Sequence, residues 1–319
     1  SLDKLDIIVV DDGSTDDTAN LANVYISKVP DSIRLISKEN GGHGSTINTS
    51  IANARGRYYK VVDADDWVDS AALDRLVGFL SMCDVDVVIN PYIEEHEDSG
   101  QTNKVGFDEI LPNFNYVQMQ VVPFDSLADS LHLFMHTLTF NTKIMRAIPL
   151  IDEHCFYVDV EYVIYPIEFL NTAAIIDDAI YHYRLGTLNQ SVNQRNLEAR
   201  ICQHEHVLSV LSKYFEKHIL PEDISHAKED LIIRRIVQMT NTNYMIYLRM
   251  KSEAEASKIA QFDAWLQAYP EVYSGCTDPR IIREKHVVNY LLPRLREKHF
   301  SNLRTVCWLV RTWDAFKNN

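Results

Sequence analysis

The sequence predicts an α/β fold, a doubly wound and mostly parallel sheet followed by a helical C-terminal region. Three observations predict it. Short apolar runs alternate with helix-period segments over the first part of the chain, polar and glycine-rich clusters close those runs, and the pattern after about residue 190 is almost wholly helical. In such sheets ligands bind outside the carboxyl ends of the strands.

The elements follow in order. Leu5 to Val10 (LDIIVV) reads as a buried strand, and Ala19, Ala22, Ile26 and Val29 follow at helical spacing. Ile33 to Ser37 is a second strand. Ser45 to Ala54 fits a helix with Ile47, Ile51 and Ala54 on one face, and Tyr58 to Val62 is a third strand. Asp69-Ser70 caps a helix carrying Leu73, Leu76, Val77 and Leu80, before a fourth strand at Val85 to Ile89. From about residue 90 to 130 the pattern weakens to loop, hairpin or an excursion over the site. Leu127 to Leu138 and Val158 to Leu170 are expected to be helical, and Ala173 to Asp177 with Ala179 to Arg184 to be two short strands at a tight bend. Beyond Asn193 helices are interrupted near Pro221, Pro270, Gly275, Pro279 and Pro293. The expected division is a domain over 1–190 and a helical domain over 191–319.

The 319 residues are ordinary in composition, with 46% hydrophobic and 24% charged, so a disordered or fibrous chain is excluded. No run of about 18 uncharged apolar residues occurs, and the first residues do not form a secretion signal, so a cytoplasmic location is expected. Five cysteines, far apart and never in a CxxC pair, are expected to be reduced and mostly buried. The net charge of −14 is unevenly spread: 8 Lys/Arg stand against 19 Asp/Glu in the first hundred residues, 17 against 14 after residue 200. That acidic front end argues against a nucleic-acid partner and suggests a metal site.

The clusters at the strand ends carry the chemistry. Asp63 and Asp65, two apart at a strand end, can aim hard oxygens at one Mg²⁺ or Mn²⁺ that keeps its other positions for water and phosphates. Acidic residues at strand ends also serve as helix caps. The Asp11-Asp12-Gly13-Ser14 string opens the first helix, so Ser14 or Asp16 is expected to cap it, and a carboxylate here can accept hydrogen bonds from a ribose or base. Asn40 to Gly44 has the look of a phosphate-cradling loop at a helix start, without the G-x-G-x-x-G or Walker spacing.

Taken together, IIVVDDGSTDDT, ENGGHGSTIN and ARGRYYKVVDADDWV resemble the family-2 glycosyltransferases of the GT-A fold, strongly over roughly residues 5–90 and weakly to about 192. The resemblance implies that Asp12, with Asp11 beside it, contacts the nucleoside of a nucleotide-diphosphate-sugar donor, with Asn40, Gly41 and Gly42 at the donor. It makes Asp63 and Asp65 the metal-binding D-x-D pair, with Asp63 also at the donor, and turns Asp66 toward the donor sugar. Ile47 stands where the family commonly has an arginine, and His136-Thr137-Leu138-Thr139-Phe140 replaces a usual WNKLF on the acceptor side. Phe156 to Tyr162 is similar to FYEDVEF with Val158 in place of the first acid, which casts Asp159 as catalytic base. Tyr181 to Arg184, then Asn189-Gln190-Ser191, looks like the tail that closes over the donor, with Arg184 a donor contact. Family members normally begin with a strand ending in PVYN and a helix, so the first domain is expected to be N-terminally truncated or to cover the base differently.

The expected function is metal-dependent, inverting transfer of a sugar from a nucleotide-diphosphate-sugar to a saccharide or lipid-linked acceptor. A nucleotidyltransferase and a non-catalytic nucleotide-sugar-binding module in a polysaccharide assembly complex are the alternatives. The last thirty residues intermix Arg294, Arg296, Lys298, Arg304, Arg311 and Lys317 with Trp308, Leu309, Trp313 and Phe316. Such a helix fits peripheral contact with an anionic membrane face, or packing on its own domain, which is the preferred reading.

Overall fold

The computed structural model describes residues 2–186, 194–222, 224–250, 258–282 and 287–317. The chain divides into two compact units, residues 1–190 and 191–319.

In the first unit β1 (Ile7–Asp11) and β2 (Ile33–Ser37) pair in parallel, joined by α1 (Thr18–Lys28). The helix α2 (Gly42–Asn53) returns over β1 and buries Ile47 and Ile51, apolar positions four apart. The third run forms a ladder only at β3 (Tyr58–Tyr59), and β4 (Trp67–Val68) follows the acidic cluster. Asp69 caps α3 (Ser70–Met82) by accepting from Ala72 N, and β5 (Val87–Ile89) is fully buried. Leu76, Leu80, Val88, Ala174 and Ile176 make one apolar cluster between α3 and the sheet.

The weakly patterned stretch is a hairpin, β6 (Tyr92–His96) and β7 (Gln101–Val105), followed by short α4 (Phe107–Ile110), β8 (Val121–Pro123) and α5 (Asp125–Ala128). The helix expected over Leu127 to Leu138 does not form. Leu131, Leu133, Met135 and Thr137 are buried in alternation, the period of extended chain, and the segment ends in a 3₁₀ turn at Met135–Thr137 and strand β9 (Leu138–Asn141). β9 inserts antiparallel between β3 and β5, so the sheet is mixed, with order β3-β9-β5-β10-β8. After α6 (Thr142–Met145) comes α7 (Asp159–Ile164), extended by a 3₁₀ turn at Tyr165–Phe169 that carries Pro166. The strands β10 (Thr172–Ile175) and β11 (Tyr181–Leu185) do not pair with each other. β10 lies parallel to β5, whereas β11 joins a second sheet ordered β4-β11-β6-β7.

The second unit is helical: α8 (Gln194–Ala199), α9 (Ile201–Tyr214), α10 (His226–Arg249), α11 (Lys258–Leu266), α12 (Pro270–Gly275), α13 (Val287–Glu297) and α14 (Leu303–Lys317). α10 is buried on most of its surface, Arg234, Thr240, Asn241 and Asn243 included, and is the axis on which the others pack. Beside it Arg296 Nε donates to Asp263 Oδ1 at 2.8 Å, and Tyr244 OH donates to the same oxygen at 2.6 Å. In α14, Cys307 and Val310 are buried while Trp308 and Leu309 stand open. No helix among the described residues is long and apolar enough to cross a membrane. Cys155, Cys276 and Cys307 are buried, Cys83 is half-buried and Cys202 is exposed.

Candidate functional site

Three strand ends and one later helix meet in the first unit. At the end of β1, Asp11 accepts from Ser14 N at 2.9 Å, closing the turn toward α1, and the Ser14 side chain and then that amide hold its carboxyl below the usual range. Asp12 works harder. Its Oδ1 accepts from Lys38 Nζ at 2.7 Å and Gly41 N at 2.9 Å, and its Oδ2 from Gly42 N at 2.7 Å. Burial opposes its ionisation, but Lys38 and the two amides outweigh burial and hold its pKa down. The carboxylate therefore satisfies the open amides at the start of α2, and the Gly41 and Gly42 N–H groups face Asp12. Asn40, beside them, is exposed.

Asp63 to Asp66 form a tight turn, Asp66 N donating to Asp63 O at 3.1 Å. Tyr181 of β11 pins it from below. Its hydroxyl accepts from Asp63 N at 3.1 Å and donates to Asp66 Oδ2 at 2.5 Å, while Arg184 N donates to Asp66 Oδ1 at 2.8 Å. Both oxygens of Asp66 are thus spent on β11, and burial pushes its carboxyl up to about 6 despite those partners. The Arg184 guanidinium lies 5.5 Å over the Trp67 ring and 3.3 Å from Glu97. Asp63 is half-buried and Asp65 exposed.

His43, in the first turn of α2, is the residue sequence reasoning left aside. Its Nε2 is buried, 3.2 Å from Asp63 Oδ1 but off hydrogen-bond geometry. Burial disfavours the imidazolium, yet Asp63, Asp159 and Asp65 together hold His43 above the usual histidine range. Tyr183 of β11 is pushed up to about 12, first by burial and then by Asp66, Asp159, Asp63 and Asp65. Asp159, the first residue of α7, is therefore gathered with the acidic turn although nearly a hundred positions separate them. A histidine beside two glycines carries no marker in one sequence that would have revealed this. Ile47, at the arginine position, is a core residue 2% exposed.

Behind the turn, Lys60 Nζ donates to His136 O at 2.6 Å, and burial brings its ammonium down to about 7. The His136 ring sits 4.0 Å from Tyr92, 5.0 Å from Tyr183 and 5.4 Å from Tyr181, and burial and then Lys60 keep it neutral, down at about 3. The His136 segment thus serves as the aromatic floor of the site. Asn189, Gln190 and Ser191 lie outside the described residues, as do the Trp313 and Phe316 side chains.

Among the described residues no group of three or more His, Cys, Asp or Glu side chains is gathered as a metal site. The orphaned Nε2 of His43 against Asp63, and two hard carboxylates at one turn, nonetheless fit a cation that draws its remaining ligands from water and phosphate.

Comparison with known proteins agrees with this architecture. The profile of glycosyl transferase family 2 matches residues 1–139. The putative glycosyltransferase EpsH of Bacillus subtilis is 33% identical over 102 residues, 32% of this chain and 29% of that protein. The minor teichoic acid biosynthesis protein GgaB of Bacillus subtilis is 24% identical over 305 residues, 94% of this chain and 32% of that protein. This chain accordingly spans about a third of the length of these curated relatives. Among solved structures, S. aureus TarS 1-349 in complex with UDP-GlcNAc superposes with a TM-score of 0.65 at 18% identity, covering 98% of this chain and 84% of that one, a likeness of fold. With its ordered strand-end clusters, the front of this chain, residues 1–139, is similar to glycosyl transferase family 2, and the chain shares the fold of TarS.

Proposed function

We propose that the chain transfers a sugar, with inversion, from a nucleotide-diphosphate-sugar to a saccharide or lipid-linked acceptor. The single observation that carries this is the tight turn of Asp63 to Asp66 set against the start of α2, where Asp63 Oδ1 stands 3.2 Å from the buried His43 Nε2. Asp159 accepts the acceptor hydroxyl's proton as that oxygen attacks the anomeric carbon from the face opposite the departing diphosphate. Asp63 and Asp65 would hold a Mg²⁺ or Mn²⁺ ion, which when bound neutralises charge on the diphosphate. Lys38 and Asp12 hold the loop on which the nucleoside rests, so Asp12 acts on the donor through Gly41 and Gly42 as well as at its own edge. The aromatic floor of Tyr92, His136 and Tyr183 keeps water from below the turn. The likeness to GgaB, a protein of minor teichoic acid biosynthesis, and to TarS, solved with UDP-GlcNAc, supports a uridine-diphosphate-sugar donor and a saccharide or lipid-linked acceptor.

The test is a thermal-shift panel of UDP-, GDP- and CDP-sugars with Mn²⁺ and with EDTA, since a ligand of the native state raises its melting temperature. A Mn²⁺-dependent shift with one donor class, lost in Asp65→Ala, is expected. Equal shifts with and without EDTA would refute metal dependence, and release of pyrophosphate in place of nucleoside diphosphate would make the enzyme a nucleotidyltransferase.

A further inference from the structure

The end of the segment between α6 and α7, residues 150–158, leads into Asp159, and α2 and α7 hold it by side chains. Asn48 of α2 grips the Ile151 backbone at both ends, its Oδ1 accepting from Ile151 N at 3.0 Å and its Nδ2 donating to Ile151 O at 2.8 Å. Glu161 of α7, fully buried, accepts from Asp152 N at 2.8 Å through Oε2, while its Oε1 is buried with no hydrogen-bond partner. Glycine at 44 is required for this approach. A Cβ there would lie 2.0 Å from Asp152 O. Farther along, His154 N donates to Gly41 O at 2.5 Å, and His154 and Tyr157 adopt left-handed φ of 53° and 68°. Non-glycine residues hold such conformations only where their surroundings enforce them. Asn48 and Glu161 hold two residues near the start of that segment, Ile151 and Asp152.

We propose that Glu161 and Asn48 are positioning residues: they clamp residues 151–152 to α2 so that the strained turn after them presents Asp159 to the acidic turn and to His43. The clamp couples the glycine-rich loop, which carries the donor, to the base, which meets the acceptor. A buried carboxyl is suited to this as a neutral acid, and burial, followed by the carboxylates of Asp152 and Asp159, pushes Glu161 up to about 8. Glutamine then has the needed shape and acceptor, whereas alanine removes the acceptor and leaves Asp152 N buried without a partner. This inference rests on Asp159 being the base.

The experiment compares wild type, Glu161→Ala, Glu161→Gln, Asn48→Ala and Asp159→Asn in two readouts. One is hydrogen exchange of the amides of residues 151–158, which needs no ligand. The other is steady-state release of nucleoside diphosphate from the donor selected by the panel above, starting with UDP-N-acetylglucosamine. Glu161→Ala and Asn48→Ala are expected to speed exchange in that segment and to lower kcat roughly 10²-fold with donor KM within about two-fold, the cost of misplacing a reacting group by about 1 Å. Glu161→Gln is expected to restore both readouts. Asn48 lies at the half-buried edge of α2, so its variant reports on the clamp even where Glu161→Ala fails to fold. Fast exchange with wild-type kcat in the clamp variants, beside an inactive Asp159→Asn, would overturn the clamp alone. A fully active Asp159→Asn would overturn the base, and with it the clamp's purpose. Unchanged exchange in both clamp variants would overturn the proposal outright.

Discussion

Two acidic strings end two strands of this molecule, and in sequence they look alike: Asp11-Asp12 after β1 and Asp63-Ala64-Asp65-Asp66 after the third run. Their fates differ. Asp11 and Asp12 spend their oxygens on the chain, on Ser14 N, Gly41 N, Gly42 N and Lys38. In the second string Asp66 is spent so, on Tyr181 and Arg184 N, while Asp63 stands against His43 and Asp65 is exposed. A carboxylate is available for chemistry when some other group builds the backbone around it. Here Asp66 and Tyr181 are that group.

The largest effect that could break the contrast is at the third acid. Asp159→Asn should lower turnover by roughly 10²–10⁴-fold with donor binding retained. Single-turnover transfer with a melting curve on the same sample checks it, and an active, stable variant would remove Asp159 from the chemistry.

Next comes Asp12→Ala, which strips three hydrogen bonds from an ionised group and leaves Lys38 without its carboxylate. A loss of roughly 2–3 kcal/mol in denaturant unfolding is expected, far beyond that of Asp65→Ala. Equal stability of the two variants would erase the distinction drawn between the strings.

Tyr181→Phe is smaller again, about 1–2 kcal/mol, because Asp63 N and Asp66 Oδ2 each lose a partner. It should also weaken Mn²⁺-dependent nucleotide binding, read by calorimetry, since the turn that carries Asp63 and Asp65 loosens. Unaltered affinity would show that the turn holds its shape alone.

The last effect is one of pH, modest over any single unit. Glu161 titrates near its ordinary value of about 4.5 when unfolded and at about 8 when folded, so the native state binds the extra proton between those limits. Its contribution to stability is therefore full below about pH 4.5 and is lost as pH rises toward 8, by about 1 kcal/mol between pH 6 and 7. Glu161→Gln should remove that slope. Parallel stability curves for the two proteins would contradict the raised value.

Much of the frame was legible. Ile7–Asp11, Ile33–Ser37 and Ser70–Met82 stand within a residue or two of where apolar spacing put them, and the α/β class with a helical C-terminal region follows from them. The segment from Leu131 to Thr137 was misread because leucines four and seven apart imitate a helix face, while burial in fact alternates by two. β9 was lost with it, and so were the antiparallel pairings it brings. The local acid clusters could be seen in the string. Their supports could not, since Asn48 meets Ile151 across 103 positions and Asp63 meets Tyr181 across 118. Such partnerships have no period and no spacing, and a fold must exist before they do.

The bond between Asp66 and β11 has one more consequence. Odd residues of β11, Tyr181 and Tyr183, face the aromatic floor, and even ones, His182 and Arg184, face Trp67 on the other side. Sliding the strand by one position would exchange the two sets and set an imidazole where the phenol hydroxyl belongs. Only the correct alignment satisfies both oxygens of Asp66 at once, one by a side chain and one by an amide three residues later. The acid after Asp63 and Asp65 thus proofreads the assembly of the second sheet, and a chain that passes this inspection has its acidic turn already set.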